Sequence, residues 1–442
     1  MLNNTPLHNL SDRRLVRFRC MVQDIYNPEF YLSYYEVLNK DTGETRMESG
    51  KYRDVTSLKP NEEIVYESPK NVNSERQTFY CVSIPGMNEW TVEKSCSSDA
   101  QTRLSSTSQP STSCGMIASN DSRKRSAEVE NECQPENRSS VGEKVAHSDS
   151  KKKEPEFLLN FPVPGGEDKS CLVKVYDNLD AFVLNEIVEV VGFLSVDPAM
   201  ATFISDKEKE GENVAEMDVD DQEELALNPP PSLVPRIHIV AAKKLSHANP
   251  LLPKKCHESW DTVSKSLLSE AKLIRDELML VLTQLLLGDQ LAAEYMLCHL
   301  VSTIYLRNDA LCLGQLSLNL CNVPNRDNYS KRLYDILTLM LPHSHYLPMT
   351  IDNINKLTFR PKKDYKTNRL TSGILQLSSN THLVLDETVL TTGQLDSNGV
   401  HNVTALGHLI TQQRVDYDFQ FYNMEFQANI PVLTLSEGKS LL

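Results

Sequence analysis

The hydrophobic pattern changes its period near Trp260, and this change limits the folds that the chain can adopt. Before Trp260 the apolar residues alternate with polar ones, a pattern that predicts half-buried strands. The predicted strands are Leu15–Gln23, Tyr31–Leu38, Gln77–Ile84, Cys171–Tyr176, Glu186–Leu194 and Arg236–Val240. From Trp260 the apolar residues recur every three or four positions, which predicts a helix. We therefore predict a mixed α and β, multidomain protein.

The helical stripe consists of Val263, Leu267, Ala271, Ile274, Leu278, Val281 and Leu285. We interpret it as a face buried in the core, and a helix of a partner protein is the alternative occupant. Gly288 ends this helix, and Asp289 can cap a second one that runs to about Tyr305. The segments that follow are strand-like at Gln315–Leu320, Gly373–Leu377, His382–Leu385 and Pro431–Leu435, and helical at Val403–Gln412. This alternation predicts an α/β domain over residues 255–442.

A polar segment at residues 95–156 separates the N-terminal strands into two groups. It is rich in Ser, Thr, Asn, Glu and Lys, so it cannot bury enough apolar surface to offset its ordering entropy. We predict a disordered linker there. The short strands of residues 1–94 and 157–245, with Gly192 inside one of them, are typical of one OB-like β-barrel that the linker interrupts. Two small β domains are the alternative, and an acidic loop is predicted at residues 206–228.

The net charge of −15 favours a protein partner over DNA. Phosphate backbones are bound through clustered Lys and Arg, and an acidic protein has an unfavourable long-range field for them. Direct DNA binding is therefore not expected. The ten cysteines include no C-x-x-C pair, which argues against a zinc ribbon or a disulfide framework. No apolar run is long enough to cross a bilayer, so no membrane contact is expected.

The strongest chemical signal is an apolar strand that ends in two carboxylates, Asp386 and Glu387. In nucleotide hydrolases such an arrangement places an Asp beside Mg²⁺ and a Glu beside the attacking water. A phosphate-binding loop of the pattern G-x-x-x-x-G-K-[ST] would be needed as well, and the sequence contains none. The acidic pair alone therefore does not predict an ATPase.

Two parts of the chain resemble the motor domain of the MCM helicases. Gly288–Tyr295 reads Gly-Asp-Gln-Leu-Ala-Ala-Glu-Tyr and is similar to the MCM phosphate loop, Gly-Asp-Pro-Gly-x-Ala-Lys-Ser. Residues 372–387 resemble the strand–turn–strand that leads into the MCM acidic pair, and the similarity continues through Asn402–Val415 and Pro431–Ser436. The resemblance implies a degenerate AAA+-like α/β domain that is C-terminally incomplete.

The departures from the MCM pattern imply that this domain is not a motor. Glu294 stands where the motors have their phosphate-binding lysine, Tyr295 where they have the magnesium-binding hydroxyl, and Leu291 where they have a glycine. A carboxylate beside a polyanion replaces attraction by repulsion. Gly288, Asp289, Leu291, Glu294 and Tyr295 are therefore identified as a degenerate phosphate loop, and the acidic pair as vestigial. No catalytic residue, cofactor or metal is expected.

The whole chain resembles a narrower family, the mini-chromosome maintenance (MCM) complex-binding proteins. The matching segments are Phe18–Asp24, Gly50–Asp54, Glu75–Cys81, Leu159–Gly165, Leu172–Tyr176, Pro231–His238, Asn249–Pro253, Gly288–Tyr295, Val400–Leu406 and Ser436–Ser440. Family members usually have a further helical segment before Pro6 and another beyond Ser440. This difference suggests a fragment or a short isoform.

This second resemblance implies a nuclear protein that binds MCM helicase subunits and contacts chromatin only indirectly. It would support assembly, stability or unloading of the MCM complex in DNA replication and sister-chromatid cohesion, and so act in the cell cycle, in mitosis and at cell division. The basic clusters at residues 123–125 and 151–153 resemble nuclear-import signals, and solvated linker charge is the alternative. An ATP-hydrolysing AAA+ protein and an OB-fold protein that binds single-stranded DNA remain the two alternative functions.

Overall fold

The computed structural model describes residues 1–54, 58–94, 159–163, 168–196, 219–252, 257–308 and 311–442. Helices and sheets alternate in these parts of the chain, so the prediction of a mixed α and β protein is confirmed. The predicted linker at residues 95–156 and the first part of the predicted acidic loop, residues 206–218, lie outside the described residues.

The N-terminal region is built from strands β1 to β8. They are β1 (Leu15–Ile25), β2 (Glu29–Asn39), β3 (Thr45–Ser49), β4 (Glu62–Ile64), β5 (Val72–Val82), β6 (Ser170–Val175), β7 (Ile187–Ser195) and β8 (Arg236–Lys244). Their bounds confirm the six predicted strands of this region to within a few residues. Strand β2 pairs with the first residues of β5, and β3 and β4 each pair with β2. All three pairings are antiparallel.

Five of these strands pair into a closed ring. Strand β1 pairs with β5 and β7, β5 pairs with β6, and β7 pairs with β8. The parallel pairing of β6 with β8 closes the circle. Alternate side chains point inward, and Phe18, Phe79, Val173, Val190 and Ile237 fill the interior. The alternation that predicted the strands is therefore the alternation that fills the ring.

Gly192 lies where β7 and β8 approach most closely. The pairing register shifts between Val191 and Gly192. A Cβ atom at Gly192 would lie 2.2 Å from the backbone oxygen of His238. Glycine is therefore required because no larger residue fits the close approach.

Helix α1 (Val219–Leu227) lies in the last part of the predicted acidic loop, so the prediction of a loop is wrong there. The remaining elements follow α1 in the chain. They are α2 (His257–Leu285), α3 (Gln290–Val301), β9 (Leu306–Asn308), β10 (Leu311–Leu313), β11 (Leu318–Leu320), α4 (Tyr329–Met340), β12 (Ser344–Pro348), α5 (Ile351–Lys356), β13 (Lys362–Asp364), β14 (Arg369–Thr371), β15 (His382–Asp386), α6 (Ser397–Gln412), β16 (Arg414–Asp418), β17 (Asn423–Gln427) and β18 (Val432–Leu435).

A four-stranded parallel sheet forms the centre of the C-terminal region, in the order β11-β18-β15-β12. One face carries Val384 and Leu433, which pack with the α2, α3 and α4 side chains. The other face carries Leu383 and Leu385, which pack with α5 and α6. Because helices cover both faces, β15 is a continuous apolar run rather than an alternating one. A second sheet, in the order β14-β13-β16-β17, lies against the same core.

The ring and the C-terminal region are joined by buried and partly buried hydrogen bonds. The Asn160 amide donates to the backbone oxygen of Leu370 at 2.7 Å, and the Leu370 N–H donates to Asp24 at 2.8 Å. The Asn185 amide donates to the Tyr417 hydroxyl at 2.7 Å. Trp90, in a helical stretch at residues 89–94, donates its indole N–H to the backbone oxygen of Leu341. These contacts hold the ring against the second sheet and the end of α4.

The differences between the C-terminal region and the sequence predictions include one predicted strand that is absent and one helix that was not predicted. The predicted strand Gly373–Leu377 is wrong, because these residues form turns whose apolar side chains are nevertheless buried. The helix α4 was not predicted. Its N-cap, Asn328, has a left-handed backbone and makes no capping hydrogen bond through its side chain, so the usual start signal is missing.

Candidate functional site

The acidic pair lies at the carboxyl end of β15, between β12 and β18. The Oδ1 atom of Asp386 accepts hydrogen bonds from the Thr388 N–H at 2.9 Å and from the Thr388 hydroxyl at 2.6 Å. Its other oxygen accepts a short hydrogen bond from the Tyr346 hydroxyl. Asp386 is buried. Both of its oxygens are therefore bound by neutral donors of the chain itself.

Glu387 is satisfied in a similar way. Its Oε1 accepts from the Ser440 hydroxyl at 3.0 Å, and its Oε2 accepts from the Leu441 N–H at 3.1 Å. The residues that follow β18 thus fold over this carboxylate. In an active nucleotide hydrolase the same oxygens would face a metal ion and a water molecule. Here they stabilise the chain's own backbone.

A strand–loop–helix unit lies beside the acidic pair. It consists of β11, the loop of residues 321–328 and α4. The Asn325 amide donates to the backbone oxygen of Thr388 at 3.0 Å, and the Ser330 hydroxyl lies 2.9 Å from the Thr388 hydroxyl. A phosphate-binding loop would occupy this position in the strand–loop–helix arrangement. The loop reads Cys-Asn-Val-Pro-Asn-Arg-Asp-Asn and contains neither glycine nor lysine.

The predicted degenerate phosphate loop lies in a different setting. Gly288, with φ of +94°, ends the helix α2, so a helix and not a strand precedes it. Asp289 caps α3 by accepting from the Ala292 N–H at 2.9 Å, which confirms the predicted cap. Leu291 and Tyr295 are exposed, and Glu294 lies 3.6 Å from Arg275 of α2. No hydrogen bond found among the described residues joins this helix corner to the acidic pair.

A buried cluster of charges on the outer face of the ring was missed by the sequence analysis. Asp54 lies 2.9 Å from both Arg76 and Lys174, and 3.1 Å from His238. Glu29 contacts the same arginine and lysine, at 2.9 and 3.1 Å. We call these five residues the Asp54 cluster. Its members come from β2, β5, β6, β8 and the Gly50–Asp54 loop, so no local motif reveals it.

The surroundings determine the charge states in this cluster. Burial raises the pKa of Asp54, but hydrogen bonding to His238 and the charges of Lys174 and Arg76 outweigh it, and the net pKa lies well below the ordinary value. Burial lowers the pKa of His238, which favours the neutral ring. The tautomer that fits both contacts has its proton on Nε2, which lies 3.1 Å from Asp54, and accepts at Nδ1 from the Tyr176 hydroxyl at 2.6 Å.

A different carboxylate, Asp24, lies at the junction between the ring and the second sheet. It accepts the Leu370 N–H and the Ile25 N–H, both at 2.8 Å. Burial raises the pKa of Asp24 to about 6, against the smaller lowering effects of these hydrogen bonds and of Lys363 and Arg369. This carboxylate therefore titrates above its ordinary range.

In the described parts of the chain, no three His, Cys, Asp or Glu residues are arranged to hold a metal ion. Every helix in those parts is too short or too polar to span a membrane. The acidic pair and the Asp54 cluster are both bonded within the chain.

Fold and site together define a mixed α/β protein in which a hydrolase-like acidic pair is bonded to its own chain. Comparison with known proteins gives the family. The model of the family described as "Mini-chromosome maintenance replisome factor" matches residues 1–442, and the chain belongs to this family. The resemblance stated from the sequence is therefore confirmed.

Similar curated proteins are each named "Mini-chromosome maintenance complex-binding protein". The relative from Homo sapiens is 44% identical over 471 residues, which cover 100% of this chain and 72% of the relative. The relative from Gallus gallus is 43% identical, with the same shares covered. The relative from Drosophila melanogaster is 42% identical and is covered to 73%.

Proposed function

We propose that this chain binds subunits of the MCM complex and does not turn over ATP. The names of the relatives at 42–44% identity support the first part, because they describe binding to this complex. The bonding of the acidic pair to neutral groups of the chain carries the second part. The nucleus is the proposed compartment, and assembly, stability or unloading of the MCM complex, with roles in replication and sister-chromatid cohesion, is the proposed purpose.

The C-terminal region is proposed to be a degenerate AAA+-like module. Its parallel sheet has the acidic pair at the carboxyl end of β15, where open α/β sheets bind their ligands. The neighbouring loop at residues 321–328 supplies no lysine for a phosphate and no glycine for close backbone approach. Glu294 and Tyr295, in the predicted phosphate loop, are equally unsuited to a polyanion. A module of this shape can present subunit-interface surfaces to MCM proteins without ATP turnover.

The ring is proposed to be an OB-type barrel. Its five strands close through antiparallel pairs and a single parallel pair, β6 with β8, as expected of a small Greek-key barrel. In this proposal residues 1–94 and 157–245 form one barrel, and residues 95–156 are an insertion between β5 and β6. The buried hydrogen bonds at Asp24, Asn160 and Asn185 then fix the barrel to the AAA+-like module.

Two measurements test the absence of nucleotide chemistry. Equilibrium titration of the intact chain with labelled ATP and Mg²⁺ measures binding, and an assay of released phosphate measures hydrolysis. We expect no saturable binding and no phosphate release. The matched control is Asp386→Asn, which should behave identically because Asp386 has no metal to hold. Hydrolysis that the wild type shows and Asp386→Asn lacks would overturn the proposal.

Capture of MCM subunits by the native chain tests the binding function. Purified MCM subunits are offered one at a time and in combination to the immobilised chain, and the bound fraction is measured at several salt concentrations. We expect retention of at least one subunit. If no subunit or combination is retained by chain that is folded by circular dichroism, the proposed function is wrong.

A further inference from the structure

The N-terminal part of α2 extends away from the rest of the molecule. Every residue from Leu267 to Glu277 is exposed, a stretch of about 16 Å at the usual rise of an α-helix. The first contacts with the core are made further along, by Met279 and Leu282. The prediction that the whole apolar stripe is core is therefore wrong for this part. The physical reason is that its side chains stay exposed, although Arg275 reaches Glu294 of α3 at 3.6 Å.

The exposed part of α2 nevertheless carries an apolar seam. Leu267, Ala271, Ile274, Leu278 and Val281 follow one another at spacings of four, three, four and three residues. That is the heptad spacing of a coiled coil, in which such residues interlock with those of a second helix. The side chains of Leu267 and Ile274 are 48% and 39% exposed. An exposed apolar stripe at this spacing is the kind of surface that a second helix covers.

The charges beside the seam identify the partner. In the heptad that the seam defines, Glu270 and Glu277 lie on one flank and Arg275 on the other. A residue on the first flank of one helix meets the residue five positions later on the second flank of a parallel, in-register neighbour. Glu270 and Arg275 are five positions apart. A second copy of the same helix therefore forms this ion pair twice, once on each side of the seam.

We propose that α2 forms a parallel two-stranded coiled coil with α2 of a second copy of this chain. Each seam residue then meets its counterpart, Ile274 against Ile274 and Leu267 against Leu267, and each Glu270 faces Arg275 of the other copy. The seam is short, and its lower end, near Leu278, is partly covered by the molecule itself, so the dimer dissociates on dilution.

Sedimentation equilibrium of the intact chain over a wide concentration range measures the association. We expect the average mass to rise with concentration towards twice that of the monomer. Ile274→Glu should keep the chain monomeric at every concentration, because it places a charge at the centre of the seam. The matched control is Leu280→Glu, at a residue of α2 that is 61% exposed but lies off the seam, and it should associate like the wild type.

Both positions are exposed, so neither variant should unfold the protein, and circular dichroism verifies this. A wild-type chain that stays monomeric at all concentrations overturns the proposal. Equal association of Ile274→Glu and wild type overturns it as well, because the dimer would then use another surface. If the wild type is monomeric and Ile274→Glu loses binding to MCM subunits, the seam serves a different protein.

Charge exchange tests the parallel register. Glu270→Arg alone and Arg275→Glu alone should each weaken the dimer several-fold, and the double variant should restore it. Arg275 also lies 3.6 Å from Glu294 within the same chain. That contact is lost equally in Arg275→Glu and in the double variant, so the difference between these two isolates the pair across the seam. Failure of the double variant to recover contradicts the register.

Disulfide trapping gives a second measure of direction. Ile274→Cys should form a crosslinked dimer under mild oxidation, because residue 274 meets itself only in the parallel arrangement. Leu280→Cys is the matched control and should not crosslink at the same rate. The wild type, with its own exposed Cys298 and Cys321, sets the background. Crosslinking of Leu280→Cys but not of Ile274→Cys would exclude the proposed seam.

Discussion

The Asp54 cluster and the acidic pair both contain buried carboxylates, but their surroundings are opposite. Asp54 is held by Arg76, Lys174 and His238. The oxygens of Asp386 and Glu387 accept from hydroxyl groups and backbone N–H groups. The first region balances charge against charge, whereas the second satisfies charge with neutral dipoles.

The acidic pair is the conspicuous motif of the sequence, but ionic interactions dominate in the Asp54 cluster. The acidic pair suggests catalysis in the sequence, yet its donors are groups that cap and fix local backbone. The Asp54 cluster is invisible in the sequence, yet it joins the Gly50–Asp54 loop to three strands of the ring. A carboxylate among buried cations cannot be neutralised without leaving those cations unpaired, whereas a carboxylate among neutral donors can be replaced at lower cost.

The largest expected effect is that of Asp54→Asn. The substitution removes the negative charge that faces Arg76 and Lys174 and leaves both cations to share Glu29. Breaking one partner of a buried ionic group costs about 3–5 kcal/mol, and we expect a loss of unfolding free energy of this order in chemical denaturation. The matched control is Asp177→Asn, because Asp177 pairs with Lys51 at the surface, and it should cost at most about 0.5 kcal/mol.

Asp54 should also make the free energy of unfolding depend on pH. Its pKa in the folded protein is depressed. The stability that it contributes is therefore complete above its pKa in the unfolded chain, about 3.9, and is lost as the pH falls below that value. Wild-type protein should therefore lose more stability on acidification than Asp54→Asn does. Equal acid sensitivity of the two proteins, or a small effect of Asp54→Asn at neutral pH, would mean that the cations do not depend on Asp54.

Sequence reasoning located the parts of the site that local patterns encode. The acidic pair follows an apolar run, and β15 does end at Asp386. The loop beside the pair was missed, because residues 321–328 lack the glycine that would mark a phosphate loop and β11 is only three residues long. The Asp54 cluster could not be predicted, because its residues are far apart in the chain and meet only after the ring has closed.

A second pH effect, of opposite sign, is expected at Asp24. Its folded pKa is raised to about 6, so the stability that it contributes is complete below the unfolded value of about 3.9 and is lost as the pH rises through about 6. A shift of this size corresponds to roughly 3 kcal/mol. The measurement is the free energy of unfolding between pH 4 and pH 7 for wild type and for Asp24→Asn.

The Asn variant should be about as stable as wild type near pH 4, because the protonated carboxyl group and the amide group each have one oxygen that accepts readily from the Leu370 or the Ile25 N–H. It should also lack the wild-type decline between pH 4 and pH 7. Asp24 thus extends the comparison, since a buried carboxylate with mainly neutral donors titrates upwards whereas Asp54 titrates downwards. A parallel pH dependence in wild type and variant would show that other groups control it.

The third effect concerns Asp386→Ala. The substitution leaves the Thr388 hydroxyl, the Thr388 N–H and the Tyr346 hydroxyl without their acceptor. Unsatisfied buried donors cost about 1–3 kcal/mol each at most, and relaxation of the hydroxyls should keep the total near 2–3 kcal/mol. Thermal unfolding measures this loss. Tyr346→Phe, which removes only one of the donors, is the control and should cost less than Asp386→Ala.

The fold was predictable where burial follows a simple period and was not where it follows tertiary contacts. Strand β1 alternates between buried and less buried residues over its first half, and β7 does so over most of its length, so both were predicted closely. The segment Gly373–Leu377 is equally apolar, but its residues are buried by packing against α5, α6 and the second sheet while the backbone turns. Periodicity reports that a residue is buried and does not report which backbone buries it.

The smallest expected effect is that of Glu387→Gln, and it gives the sharpest contrast with Asp54→Asn. Both substitutions exchange a carboxylate for an amide of nearly the same shape. At residue 387 the amide oxygen can still accept either the Ser440 hydroxyl or the Leu441 N–H, so about one neutral hydrogen bond is lost, worth about 1 kcal/mol. The two variants are compared by chemical denaturation at neutral pH. If Glu387→Gln destabilises the protein as strongly as Asp54→Asn, the loss is too large for neutral hydrogen bonds. Glu387 would then interact with a positive charge, and the acidic pair would again be a candidate cation site.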